Sequence, residues 1–301
     1  MSSAPQHPFP GNDLAGYQGR FPKILFHCHV FPADPGKFPP DPATGLLPGS
    51  VEHLRALASR LGFDRVMAIS PSEVPPGRAT ARIDEGADGL AWLAQRAKHD
   101  ADILLFANLN PDNKRSPDRV AKAHEDGFTG VKLHPVIGQF AIDAARDSVF
   151  YGVLNTLRMP LLIHTGVIPH LQPWPISEHH PFRIDALANK YPNIPVVLAH
   201  GGGRPFCREV LAVMQANENT YLDLTHVLDR KYAWHIPLDD LQAFFDQIGP
   251  ERIIYGTDYP WYRPDDLARD LEVLKSLGVD RSALDMLMGG TFLKLLTERA
   301  D

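Results

Sequence analysis

Two histidines separated by one residue close an apolar run, Pro22–Lys23–Ile24–Leu25–Phe26–His27–Cys28–His29. On a strand, residues i and i+2 face the same way, so His27 and His29 project together and Cys28 faces away. Two imidazoles side by side can hold a metal ion. Alone the pair is weak evidence, because two histidines at a strand end are usually ordinary residues. The rest of the chain supplies partners of the same kind. Lys132 and His134 lie in Gly130–Val131–Lys132–Leu133–His134, His164 closes Leu161–Leu162–Ile163, and His200 closes Val196–Val197–Leu198–Ala199. His226 follows Leu224–Thr225, and Asp258 follows Gly256–Thr257. Each stands at the carboxyl end of a run that reads as a strand. A site able to bind a divalent ion therefore has candidates on five strand ends, the first, fourth, fifth, sixth and eighth.

These residues converge only if the strands form a barrel. Apolar strand-like runs alternate with amphipathic stretches of helical period, the signature of βα units and a parallel sheet. The expected strands are 23–29, 65–70, 102–108, 129–134, 159–164, 195–200, 220–225 and 252–257. The expected helices are 50–61, 83–98, 117–125, 149–157, 182–190, 205–216, 238–248 and 265–277, with two more at 282–287 and 291–299. Ser50 is the expected N-cap of the first helix, and Gly127 suits the left-handed position that closes the third. Eight strands, each followed by a helix, is the count of an α/β (β/α)8 TIM-type barrel, here with additional C-terminal helices. Active sites of such barrels lie at the carboxyl ends of the strands. A doubly wound open sheet competes but lacks a Gly-x-Gly-x-x-Gly turn after the first strand. No repeat or low-complexity linker divides the chain, so 1–301 is expected to be a single barrel domain, with 1–20 an irregular N-terminal extension.

Composition sets the limits. The chain has 301 residues, 44% hydrophobic and 22% charged, with a net charge of −6. No basic stripe suggests nucleic acid, and no apolar run approaches a membrane span. The polar, Pro- and Gly-rich start lacks the features of a signal peptide, so a cytoplasmic location is the default expectation. Two cysteines, Cys28 and Cys207, make no disulfide framework. The expected partner is a small-molecule substrate, with no nucleic acid and no membrane; a homo-oligomer assembled through the added C-terminal helices is left open.

The set His27-x-His29, His164, His200 and Asp258 resembles the metal ligands of the amidohydrolase superfamily. The phrases VKLHP, LLIHTG, VVLAHGGG and IIYGTDYP are similar, more specifically, to the amidohydrolase-related (amidohydrolase 2) metal-dependent hydrolases, over roughly Pro22 to Leu296. The resemblance implies a divalent ion, zinc first with manganese or iron as alternatives, in one or two copies. It implies that His27, His29 and Asp258 ligate a primary ion and that His164 ligates that ion or a second. His200 would bind the second ion or stay free to polarise substrate and move protons. Lys132 matches a lysine that bridges two ions as a carbamate in some relatives; unmodified, it is a cation and a poor ligand, and would pair with Asp258 or a substrate carboxylate.

The implied chemistry uses metal-activated water, with Asp258 and His200 as the catalytic residues. The expected reaction is hydrolysis of an amide, ester or lactone of a small, carboxylated molecule. The alternative is non-oxidative decarboxylation, since relatives with nearly the same rim cleave carbon–carbon bonds; a non-catalytic metal-binding barrel ranks last. Loops after the strands should wall the substrate. Arg204, after the Gly201–Gly203 turn, could grip a carboxylate with its forked donors. His134, His226, Trp174, Trp261 and Tyr262 are the other expected substrate contacts, with Phe31 and His179 as weaker candidates. His170 and His180 are read as loop histidines.

Overall fold

The structure, a computed structural model, describes residues 9–11, 13–32, 34, 36–71, 88–168 and 174–297. Nine parallel strand segments form a ring: β1 (Ile24–His29), β2 (Arg65–Ile69), β3 (Ile103–Asn108), β4 (Phe128–Leu133), β5 (Leu161–His164), β6 (Val196–Ala199), β7 (Thr220–Asp223), β8 (Ile253–Ile254) and β9 (Gly256–Tyr259). Each neighbour pair from β1 to β8 is parallel, and β9 pairs with β1. The eighth position of the barrel is thus shared by β8 and β9, split at Tyr255. The split has a visible cause: the Tyr255 amide leaves the ladder and donates to the Leu287 carbonyl at 2.9 Å.

The outer ring contains α1 (Val51–Leu61), α2 (Gly89–Ala97), α3 (Ser116–Glu125), α5 (Ser148–Leu157), α6 (Pro181–Lys190), α7 (Gly203–Ala216), α8 (Leu238–Gln247) and α9 (Asp266–Ser276), while the short α4 (Pro135–Gly138) stands at the strand end after β4. The Ser50 side chain caps α1 by accepting the His53 amide, and Gly127 takes the expected left-handed conformation after α3. The helical turn α4, directly after β4, was not expected from periodicity, because four residues are too few to show one. The first residues expected in the second helix, 83–87, lie outside the described ones.

Alternate strand residues separate two apolar layers. Ile24, Phe26, Met67, Ile69, Phe106, Leu162, Val197 and Ile254 fill the barrel interior, while Leu25, Cys28, Val66, Ala68, Leu161 and Leu198 pack outward under the helices. The terminal helices α10 (Arg281–Asp285) and α11 (Thr291–Thr297) follow. The α11 residues Phe292 and Leu295 join the interior cluster, with Phe292 meeting Phe26 at 4.8 Å and Phe106 at 5.9 Å between ring centroids. This helix seals the barrel floor, so the interior opens at the carboxyl ends of the strands. Among the described residues no helix is long and apolar enough to cross a membrane.

Candidate active site

Simple alternation along β1 would place Leu25 and His27 on one face. Instead Leu25 packs outward and His27 inward, next to the inward Phe26. The phase is reset by His27 itself, whose φ is 57°, where the ladder with β2 also shifts register. Among the described residues six non-glycine positions have positive φ, and four of them are His27, His200, His226 and Asp258. Such backbone is costly for residues with a Cβ, and it clusters where side-chain placement matters more than local comfort.

The reset brings His27 and His29 onto Asp258 from β9. His29 Nε2 lies 3.1 Å and His27 Nε2 3.7 Å from Asp258 Oδ1. The ligand atoms of the three residues all fall within 4.8 Å of one another. Tetrahedral ligation with bonds of about 2.0–2.2 Å requires ligand–ligand edges of about 3.4 Å, so these three fit a divalent ion. His164 adds a second sign of fit: its Nε2 is buried without a hydrogen-bond partner among the described residues. Its ring stacks on His134 at 4.0 Å and meets His200 at 4.8 Å. The His200 Nδ1 donates to the Thr225 carbonyl at 3.0 Å, which leaves the Nε2 lone pair free.

Asp223 of β7 was not anticipated as a site residue. It is fully buried, and its Oδ2 accepts from His27 Nδ1 at 2.6 Å. That bond fixes the His27 proton on Nδ1 and turns the Nε2 lone pair toward Asp258, the carboxylate–imidazole support typical of metal ligands. Its other oxygen accepts from the amide and hydroxyl of Thr225. A Cβ on Gly256 would come within 2.4 Å of this oxygen, so glycine is required there. The available signal in the sequence was an acidic residue inside the strand Thr220–Tyr221–Leu222–Asp223–Leu224, where burial demands a partner.

The buried Lys132 donates from Nζ toward His27 Nε2 at 3.1 Å, rather than pairing with Asp258. Burial lowers its pKa to about 8 against the opposing fields of Asp258 and Asp223. Burial also pushes His27, His134, His164 and His226 down, and His200 to about 3, so these rings are neutral. For Asp258 burial acts upward, but the hydrogen bond from His29, with the His27 and His226 rings beside the same carboxylate, overrides it. Its carboxyl is held well below the usual range.

The remaining expected contacts divide. His226 reaches the site, with Nε2 3.5 Å from Asp258 Oδ2. Trp261, about half exposed, stands edge-on to His29 at 5.7 Å. Arg204 does not join them: the Gly201–Gly203 reversal starts α7 along the outside of the barrel, and the exposed Arg204 lines a cleft with Pro237 and Asp239. Tyr262 is buried in the outer layer, its hydroxyl 2.6 Å from that of Tyr255, which donates to Asp270 at 2.7 Å. Trp174 is half-buried just ahead of the turn Ile176–Glu178, and among the described residues no ring contact joins it to the site imidazoles. Phe31 is a buried packing residue stacked on Phe38 at 6.0 Å. His179 is buried, His180 caps α6, and His170 lies outside the described residues.

In their place stands Trp234, from the segment between β7 and α8. Its indole stacks on His200 at 4.4 Å and meets His164 at 5.7 Å and His226 at 6.1 Å. The left-handed Gly166 and Gly203 make room for it, since a Cβ at either would lie about 3.0 Å from its Cδ1. The segment is pinned by the fully buried Asp266, which accepts from Lys231, Tyr232, Arg269 and the Arg263 amide. No spacing in the sequence signals Trp234, because its segment is neither strand nor helix.

The family model described as amidohydrolase matches residues 24–296. No curated protein matches the chain. Among solved structures, 2,6-dihydroxybenzoate decarboxylase from Rhizobium aligns at 18% identity over 93% of this chain and 99% of that one, with a TM-score of 0.66. An amidohydrolase from Burkholderia multivorans, with bound zinc, aligns at 18% identity over 91% and 99%, TM-score 0.64. A probable 2-pyrone-4,6-dicarboxylic acid hydrolase from Acinetobacter baumannii, with citric acid bound, aligns at 13% identity over 92% and 100%, TM-score 0.62. At such identities these likenesses speak for the fold alone.

Proposed function

Because the chain belongs to the amidohydrolase family, we propose that it is a metal-dependent hydrolase of an amide, ester or lactone in a small carboxylated molecule. The observation that carries this reading is the packing of His27 and His29 on one oxygen of Asp258 while its other oxygen faces His226. His27, His29 and Asp258 Oδ1 would hold a divalent ion, with His164 and His200 Nε2 available to the same ion or a second. Zinc suits these ligands, as do manganese and iron. When bound, such an ion supplies a Lewis acid and lowers the pKa of water from 15.7 to about 7.

The chain's own groups then have distinct tasks. Asp258, held ionised, accepts a proton at Oδ2 from the attacking water and returns it to the leaving group. His226 stands beside that oxygen and orients it. His200, neutral with its lone pair inward, accepts a hydrogen bond or a proton on the opposite side of the cluster. Trp234 and the α11 plug exclude water from below and beside it. The likeness to a pyrone dicarboxylic acid hydrolase supports a carboxylated lactone as the first substrate to try.

A second reading is non-oxidative decarboxylation, favoured by the likeness to 2,6-dihydroxybenzoate decarboxylase and by the flat neutral wall of His200, Trp234 and His226, whose rings lie within 15° of parallel. Metal analysis tests the site that both readings share, and turnover separates them. The purified protein should carry a divalent ion, and His27→Ala with His29→Ala should lose most of it; full retention would sink the assignment. Asp258→Asn should fold and lose turnover by at least about a hundredfold, and undiminished turnover would exclude its proton-transfer role. Release of CO2 from a hydroxybenzoate, with no activity on lactones, would select the second reading.

A further inference from the structure

His134 follows β4 on the same face as Lys132 and is only partly buried at the barrel mouth. Its Nδ1 accepts the Ile137 amide at 3.2 Å, as the side-chain cap of α4. An imidazolium has two N–H donors and no acceptor, so a ring that accepts at Nδ1 must be neutral and carry its proton on Nε2. The turn that makes this bond is itself closed, with the Gly138 amide donating to the His134 carbonyl at 2.8 Å. Stacking on His164 at 4.0 Å and 11° holds the ring plane. His134 therefore differs from its neighbours: His200 presents a lone pair, whereas His134 presents an N–H.

We infer that His134 is a tautomer-locked hydrogen-bond donor that holds an oxygen of the substrate beside the metal-ligating residues. This rests on reading the barrel mouth as the active site. The consequence is a specificity rule. The substrate must present an acceptor at this position, a carbonyl or carboxylate oxygen, and an analogue presenting an amine or amide N–H there is rejected, because two donors would face each other without water between them. In a hydrolysis the same donor strengthens its hold as the oxygen gains negative charge. In this tautomer His134 is no metal ligand, since its outward nitrogen has no lone pair to give.

Two measurements on the full chain test this. Nitrogen NMR of histidine-labelled protein, with the His134 signals identified by their loss in His134→Phe, should show Nε2 protonated and Nδ1 bare at neutral pH. A proton on Nδ1, or on both nitrogens, overturns the inference whatever the metal content. The second uses acetohydroxamate, an oxygen-donor probe, titrated calorimetrically into zinc-loaded protein. His134→Phe should bind it about 10- to 100-fold more weakly at unchanged zinc content, the worth of one hydrogen bond to a charged oxygen. His134→Gln, which restores an N–H at similar reach, should recover most of the loss. Equal affinity in wild type, Phe and Gln forms, or no binding to the zinc-loaded wild type, overturns it. Failure of the wild type to hold zinc would instead defeat the metal-site reading, with the tautomer measurement still standing by itself.

Discussion

Replacing Asp223 by asparagine changes one oxygen to an amide nitrogen and leaves the shape nearly intact. Both oxygens of Asp223 now accept: Oδ2 from His27 Nδ1 at 2.6 Å, Oδ1 from the Thr225 amide at 3.0 Å and from its hydroxyl. An asparagine has one acceptor and one donor, so in either orientation its NH2 faces an N–H. If it faces Thr225, a buried amide loses its partner. If it faces His27, the ring escapes by moving its proton to Nε2, and the lone pair aimed at Asp258 disappears. The loss of such a supporting carboxylate weakens metal binding by about 10- to 100-fold, or roughly 1.4–2.7 kcal/mol. Competition of zinc between the protein and a chromophoric chelator near neutral pH measures this directly, with a melting curve to show that the variant is folded. A folded Asp223→Asn protein that binds zinc within about twofold of the wild type would refute the claim that this carboxylate sets the His27 tautomer.

Two further outcomes are expected. Lys132→Met should bind the first ion more tightly, because an ammonium 3.1 Å from His27 Nε2 competes for the same lone pair; a fall from two ions per chain to one in chelator titration would show instead that the lysine is a bridging carbamate. Asp270, on the buried face of α9, has its pKa raised by burial to about 7 from 3.8. The folded state therefore binds the proton more tightly than the unfolded one, and stability falls as pH rises from about 4 through 7. Asp270→Asn keeps an acceptor for Tyr255 and cannot ionise, so by urea unfolding it should exceed the wild type by up to about 4 kcal/mol at pH 8 and approach it near pH 4. A constant difference between the two proteins at both pH values would show that Asp270 is not protonated in the fold.

Much of the architecture was legible in the chain because its signals are local. Apolar runs of strand length, Ser50 before Val51 and Gly127 after α3 act within a few residues, and they fix which segments become strands and helices. Eight such units in sequence leave few ways to bury both faces of the sheet, so the barrel and the convergence of His27, His164, His200 and Asp258 on one rim follow. The loops were less legible. Nothing near Arg204 in sequence says that α7 will carry it to the outer clefts, and nothing near Tyr262 says that it will pair with Tyr255.

What the sequence determined by itself, then, is the set of chemical types at the strand ends. Only the tertiary structure decided their states. The left-handed turn at His27 resets the phase of β1, Asp223 from a strand some 200 residues away fixes its proton, and Trp234 covers His200 from a segment with no periodicity. The physical reason is range. Strand and helix patterns arise from backbone geometry between neighbours, whereas a tautomer, a pKa or a ring stack is set by whichever atoms lie within a few ångströms in space, and the closure of the barrel chooses those atoms.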